Sequence, residues 1–199
     1  MSDLMKKMLR AKARSTYSSL ILIILAGCAL PVGGQQYDKP VEAIRRQSQQ
    51  INEQIAESER AEEGNGIYCN ELVINKRNKS WPAVGIYRTV ISFYYTFGDR
   101  EQNPYPNRLL KITVTTNRSA RHEYAEYIFN PTGRLIFYYE RDSENLQSER
   151  RYYFASERLI RRMTGPRMVD IRSREALEAV KTVLTENSRL KRLFLSSLD

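Results

Sequence analysis

The spacing of apolar residues changes twice along this chain, and each change marks an element. Val41, Ile44, Ile51 and Ile55, with Ser48 in the gap, recur every three or four residues. That spacing puts one narrow stripe on a helix. Arg45, Arg46, Gln47, Gln49, Gln50, Glu53, Gln54 and Glu57 take the other faces. Asp38 suits a helix N-cap and Pro40 a first turn, so a helix is predicted over 37–63. The stripe lasts about two heptads, which favours packing on a sheet over a coiled coil.

From residue 67 to 164 the period becomes two, with β-branched and aromatic residues between turn signals. Strands are predicted over 67–75, 84–97 and 109–116. Tyr87, Ile91, Phe93, Tyr95 and Phe97 share one face of the second, and Leu110, Ile112 and Val114 point inward from the third. Two similar hairpins follow. One is Tyr127-Ile128-Phe129, the turn Asn130-Pro131-Thr132-Gly133, then Arg134-Leu135-Ile136. The other is Tyr152-Tyr153-Phe154, the turn Ala155-Ser156-Glu157, then Arg158-Leu159-Ile160. The pattern resembles the hairpin units of exported bacterial meander proteins and carries no chemistry. Ser173 caps a predicted final helix over 172–195, with Leu177, Val180, Val183 and Leu184 on its apolar side. Asn187-Ser188 is read as a break before the basic, amphipathic 189–195. That last piece suits core packing, or alternatively a membrane surface or partner helix. The fold class predicted is α+β: residues 37–199 form one domain, an antiparallel meander of about six strands with both helices packed on one face.

Ahead of the domain, Lys6, Lys7, Arg10, Lys12 and Arg14 precede an uncharged run from Leu20 to Ala26. A basic head, a short apolar core and a small-residue exit make a secretory signal, here 1–27. The run is too short to span a bilayer, which takes ~20 apolar residues. Leu25-Ala26-Gly27-Cys28 resembles the lipobox of bacterial lipoproteins. That resemblance implies cleavage before Cys28, a diacylglycerol on its sulfur, and an acylated amino group. Residues 28–36, broken by Pro31, Gly33 and Gly34, are then a tether. Cleavage after Gly34 is the other reading and would release a soluble periplasmic or secreted protein beginning at Gln35.

The anchor changes what the composition means. The chain carries 32 Lys+Arg against 23 Asp+Glu, and losing five cations and one anion with the signal leaves 27 and 22, a net of +5. Export and this scattered charge argue against a nucleic-acid partner. The partners expected are the membrane, through lipid on Cys28, and an unidentified envelope protein or glycan. Cys69 is left without a partner cysteine and is expected as a buried, inert thiol.

The sequence offers little catalytic material. His122 is the one histidine, and neither Gly-x-Ser-x-Gly nor His-Glu-x-x-His nor a Gly-Lys-Ser/Thr phosphate loop occurs. No cofactor, metal site or catalytic residue is predicted. Glu123 with Glu126, and Glu140 with Asp142, are the available carboxylate pairs. Glu123 and Glu126 would point to opposite faces of a strand. Thirteen tyrosines stand out, with doublets Tyr94-Tyr95, Tyr138-Tyr139 and Tyr152-Tyr153. A binding surface is predicted from Tyr124, Tyr138 and Tyr152 with Arg134, Arg150 and Arg162. The function expected is a non-enzymatic envelope binding or assembly module. The alternatives are a carrier or sensor of an apolar ligand between sheet and helices, and a carboxylate-dependent hydrolase.

Overall fold

The computed structural model describes residues 38–61, 66–83, 85–99, 101–119, 121–143 and 145–198, with the side chains of 145–148 excepted. The signal, the lipobox with Cys28, and the tether lie outside these residues. Among the described residues a helix, α1 (Asp38–Arg60), leads into nine strands. These are β1 (Ile67–Ile74), β2 (Ser80–Trp81), β3 (Gly85–Phe97), β4 (Pro106–Arg118), β5 (Arg121–Phe129), β6 (Leu135–Asp142), β7 (Asn145–Ala155), β8 (Arg158–Thr164) and β9 (Arg167–Val169). A second helix, α2 (Arg174–Ser196), closes the chain. The described helices include none long and apolar enough to cross a membrane.

The sheet is an antiparallel meander in the order β1-β3-β4-β5-β6-β7-β8-β9, with β2 pairing beside β1 on β3. The fold is α+β, but with nine strands in place of about six. Two of the extra strands, β2 and β9, have two and three residues and are too short to show a period.

The placement of the helices corrects the prediction: they cover opposite faces of the sheet. Val41, Ile44, Ile51 and Ile55 of α1 pack with Leu110, Ile128, Ile136, Phe137 and Tyr153. Val183, Leu190 and Phe194 of α2 pack with Ile91, Phe93, Tyr95, Leu109, Ile112, Tyr127, Phe129, Tyr138, Tyr152 and Phe154. The strands alternate between two buried faces, so each helix finds its own apolar surface. Both helices run across the strands. Asp38 of α1 meets Arg161 of β8 at 2.5 Å, while Tyr94 of β3 donates to Glu59 near the other end at 3.0 Å. Glu175 of α2 meets Arg162 of β8 at 2.9 Å, and Phe194 lies against Phe93 and Tyr95 of β3.

Local chemistry fixes the ends. Asp38 is a first-turn helical residue, not the cap. Ser173 does cap α2, its hydroxyl accepting from the Ala176 N–H at 3.2 Å. No break occurs at Asn187-Ser188. The Ser188 hydroxyl donates back to the Leu184 carbonyl at 2.9 Å, and the helix continues to Ser196. In the first hairpin turn the Asn130 side-chain oxygen accepts from Thr132 and Arg134 N–H groups, and Gly133 takes φ +74°.

Three of the register shifts in the sheet leave an extra core residue in a returning strand. Tyr94 and Tyr95 face Lys111 and Leu109, leaving Leu110 unpaired. Ile128 and Phe129 face Phe137 and Leu135, leaving Ile136. Tyr153 and Phe154 face Arg161 and Leu159, leaving Ile160. Each is a β-bulge, and each puts two successive side chains on the α1 face. The pairs are Leu110-Lys111, Ile136-Phe137 and Ile160-Arg161. Val114 and Ile112 thus keep the α2 face while Leu110, expected beside them, turns to α1.

Candidate functional site

The α1 face extends beyond the helix, and there it is built from tyrosine and arginine. Tyr94 of β3, Tyr124 of β5 and Tyr139 of β6 all point to it. The Tyr124 and Tyr139 rings meet edge-on, 6.2 Å between centroids. Arg141 lies 5.4 Å over the Tyr124 ring, and Arg151 5.6 Å over Tyr139. Every phenol is tied to a carboxylate: Tyr94 donates to Glu59 at 3.0 Å, Tyr124 to Glu126 at 3.0 Å, and Tyr139 to Glu149 at 3.1 Å. Arg151 also pairs with Glu149. Beneath them Lys111 and Glu126 form a buried ion pair at 2.8 Å, and Lys111 donates to Asn52 of α1 at 2.7 Å. Burial raises the Tyr94 phenol well above its usual range, with help from Cys69 and Glu59. Burial raises Tyr124 too, reinforced by Glu126. All three rings are half-buried, rigid and uncharged at neutral pH.

An open groove of about 630 Å³ adjoins this strip, between α1 and the sheet. Phe137 and Tyr153 line it from the sheet, with Arg45, Asn52, Glu53 and Arg151 at its sides. The Tyr153 hydroxyl accepts from Arg45 Nε at 3.3 Å.

The six residues predicted as a binding surface do not form one. Tyr124 alone belongs to the α1-face strip. Tyr138 and Tyr152 sit under α2, the Tyr138 ring tilted against Tyr127 at a centroid spacing of 4.8 Å and against Tyr152 at 5.3 Å. Arg162 is 3 % exposed, lies 5.5 Å over the Tyr152 ring, and pairs with Glu175. These three serve the core. Arg150 lies on the same face and pairs with Glu140 at 2.8 Å, while Tyr138 donates to the other oxygen of Glu140 at 2.7 Å. Arg134 is at a hairpin end, 3.5 Å from Glu157. Tyr94, Tyr139, Arg141 and Arg151 were not predicted. In β3 the signal was present, since Tyr95 shares the parity of Ile91 and Phe93, which leaves Tyr94 for the other face.

The uncovered end of the α2 face holds an open cleft of about 500 Å³, lined by Val114, Ala125 and Tyr138 with Glu123, Glu140 and Asp142. It therefore brings three carboxylates together, including the Glu140 and Asp142 pair. Each is held by arginine: Glu123 lies 3.7 Å from Arg118 and 3.9 Å from Arg121, Asp142 is 2.7 Å from Arg121, and Glu140 bonds Arg150. A nucleophile or base drawn from this set would first have to break its ion pair. Glu126 is on the opposite face from Glu123, in the Lys111 pair.

Cys69 corrects its expectation. It is free and exposed on β1, not buried. Partial desolvation, then Glu71 and Glu59, raise its thiol to about 11, so thiolate is scarce at neutral pH. His122 is exposed at the start of β5, its Nδ1 2.7 Å from the Asn117 side-chain oxygen.

Compared with known proteins, the chain matches no family model, no curated protein and no solved structure.

Proposed function

We propose that the chain is an exported, lipid-anchored protein of the bacterial cell envelope that works as a non-enzymatic binding or assembly module. Its partner is an envelope protein or glycan, taken up on the α1 face. The observation that carries the binding reading is the preordered strip of Tyr94, Tyr124 and Tyr139 under Arg141 and Arg151, beside an open groove. Aromatic and arginine side chains held rigid on a sheet lose little entropy on binding and dominate interface hot spots. The anchoring half rests on Leu25-Ala26-Gly27-Cys28 behind its basic head and apolar run. The carrier reading is weaker because the helix–sheet contacts are filled, with Val41, Ile112, Ile128 and Leu190 wholly buried.

Photo-crosslinking in intact cells tests the binding half. A photoreactive residue at Tyr139 should give a discrete adduct that is lost with Arg141→Glu and Arg151→Glu. The same residue at Tyr105, exposed in the β3–β4 loop, should give none. No adduct at Tyr139, or the same adduct from Tyr105, refutes the site. For the anchor, Cys28→Ser should abolish lipid labelling and block maturation, whereas a lipid-free mature chain beginning at Gln35 refutes it.

A further inference from the structure

Three segments converge on β8. Asp38, where the tether enters the fold, pairs with Arg161. The neighbouring Arg162 pairs with Glu175 in the first turn of α2. The edge strand β9 pairs along the end of β8, Met163 facing Met168 and Thr164 facing Arg167. This corner exposes Arg167, Arg172 and Arg174, and none of the three has an ion-pair partner among the described residues. It also exposes the molecule's barest large apolar side chains in this region, Met168 at 71 % and Leu177 at 59 %. Of the exposed acids here, Asp38 pairs with Arg161 and Glu175 with Arg162, Asp170 accepts from the Arg172 N–H at 2.9 Å, and Glu178 is exposed beside Leu177. On the opposite edge of the sheet the strand β1 carries the single charge of Glu71, and the turn between β1 and β2 exposes Lys76, Arg77 and Lys79.

From this corner we infer that the β8–β9–α2 junction docks on an anionic bilayer surface, with Arg167, Arg172 and Arg174 against lipid phosphates and Met168 and Leu177 in the interface. The inference rests on the reading that Cys28 is lipidated. Ten residue steps separate Cys28 from Asp38, a reach of at most about 35 Å, so the anchored domain stays near the membrane with this corner nearest the tether. Basic residues beside exposed apolar ones are what an anionic interface attracts. Docking here would turn one edge of the sheet to the bilayer and leave the α1-face strip, on a broad face, open to a partner.

The single native tryptophan makes the test direct, because Trp81 sits on β2 at the far edge of the sheet. The mature envelope-purified protein is compared with a Trp81→Phe/Met168→Trp variant. Each is mixed with vesicles of phosphatidylcholine alone or of equal parts phosphatidylcholine and phosphatidylglycerol. The Met168→Trp emission should move to shorter wavelength only with phosphatidylglycerol, and the native Trp81 emission should not move. The shift should vanish near 1 M salt, where the Debye length is about 3 Å. Each of Arg167→Gln, Arg172→Gln and Arg174→Gln should weaken the vesicle titration about fivefold. Mass spectrometry of Cys28 reads the anchor separately. An unlipidated Cys28 sinks the anchoring reading, and the emission shift still decides the corner. An emission at Met168→Trp that is the same on both vesicles, or that survives the three substitutions, overturns the docking surface.

Discussion

Removing one partner of the buried Lys111–Glu126 pair should cost more than removing both. The two side chains are 11 % and 9 % exposed and 2.8 Å apart, and Lys111 also ties β4 to α1 through Asn52. Lys111→Met leaves the Glu126 carboxylate buried with only the Tyr124 hydroxyl as donor. An uncompensated charge in such a site destabilises by about 3–5 kcal/mol, and the surviving Tyr124 bond argues for the lower end. For a domain of this size that lowers Tm by on the order of 10 °C and takes away a large share of a total near 5–15 kcal/mol. The double variant Lys111→Met/Glu126→Leu buries no charge. It should return to within about 1–2 kcal/mol of wild type, the residue being the lost acceptor of Tyr124. Urea unfolding followed by Trp81 fluorescence measures both, with a shifted midpoint and an unchanged slope. A loss below about 1 kcal/mol in Lys111→Met would mean that the pair is solvated. A double variant as unstable as the sum of the two single ones would remove the coupling altogether.

Leu190 of α2 is wholly buried against the sheet, so Leu190→Ala should cost about 2–5 kcal/mol, while Leu177→Ala on the same helix should stay within about 0.5 kcal/mol; thermal unfolding of the pair separates them. The raised Cys69 thiol should alkylate slowly at neutral pH, and its rate should climb until about pH 11, well past the plateau of the unfolded chain; an earlier plateau refutes the shift. Tyr94, Tyr124, Tyr127 and Tyr138 have phenols raised chiefly by burial, so unfolding releases protons once pH exceeds the unfolded phenol value of about 10. Stability from these groups is whole below that value and falls as pH rises above it, so ultraviolet titration should show a late set of tyrosines ionising together with unfolding.

Much of the fold could be read from the residues, because it depends on local patterns. The Val41–Ile55 stripe, the Ser173 cap, the Asn130-Pro131-Thr132-Gly133 turn and the order of the meander all follow from spacing within one element or between neighbours. The side of the sheet chosen by each helix is a long-range matter. Its signal was nonetheless present in Tyr127-Ile128-Phe129, Leu135-Ile136-Phe137-Tyr138 and Tyr152-Tyr153-Phe154. Continuous apolar runs in strands mean burial on both faces, and that requires a helix on each. Alternation in β3 alone, with its single apolar parity, pointed to one face.

The candidate site failed to be legible for a more specific reason, a single residue in β6. Leu135 lies on the α2 face, and strict alternation from it would send Phe137 and Tyr139 there as well. The bulge at Ile136 reverses the parity, so Phe137 and Tyr139 join Tyr124 on the α1 face and Tyr138 is buried under α2. A bulge leaves no composition signal of its own, since Ile136 is an ordinary strand residue. The neighbours show why it has to be there. Leu110 in β4 and Ile160 in β8 are bulged in the same way, each in the returning strand of its hairpin. Because all three returning strands take the extra step, Lys111 stays in phase with Ile128, Ile128 with Phe137, Phe137 with Tyr153, and Tyr153 with Arg161. Without the Ile136 bulge, β6 would be out of phase with β5 and β7, Tyr138 would stand beside Tyr124, and Tyr139 would have to enter a core already filled by Tyr127 and Tyr152. The location of the tyrosine–arginine strip is thus a consequence of register, carried across the sheet by three residues that have no pairing partner.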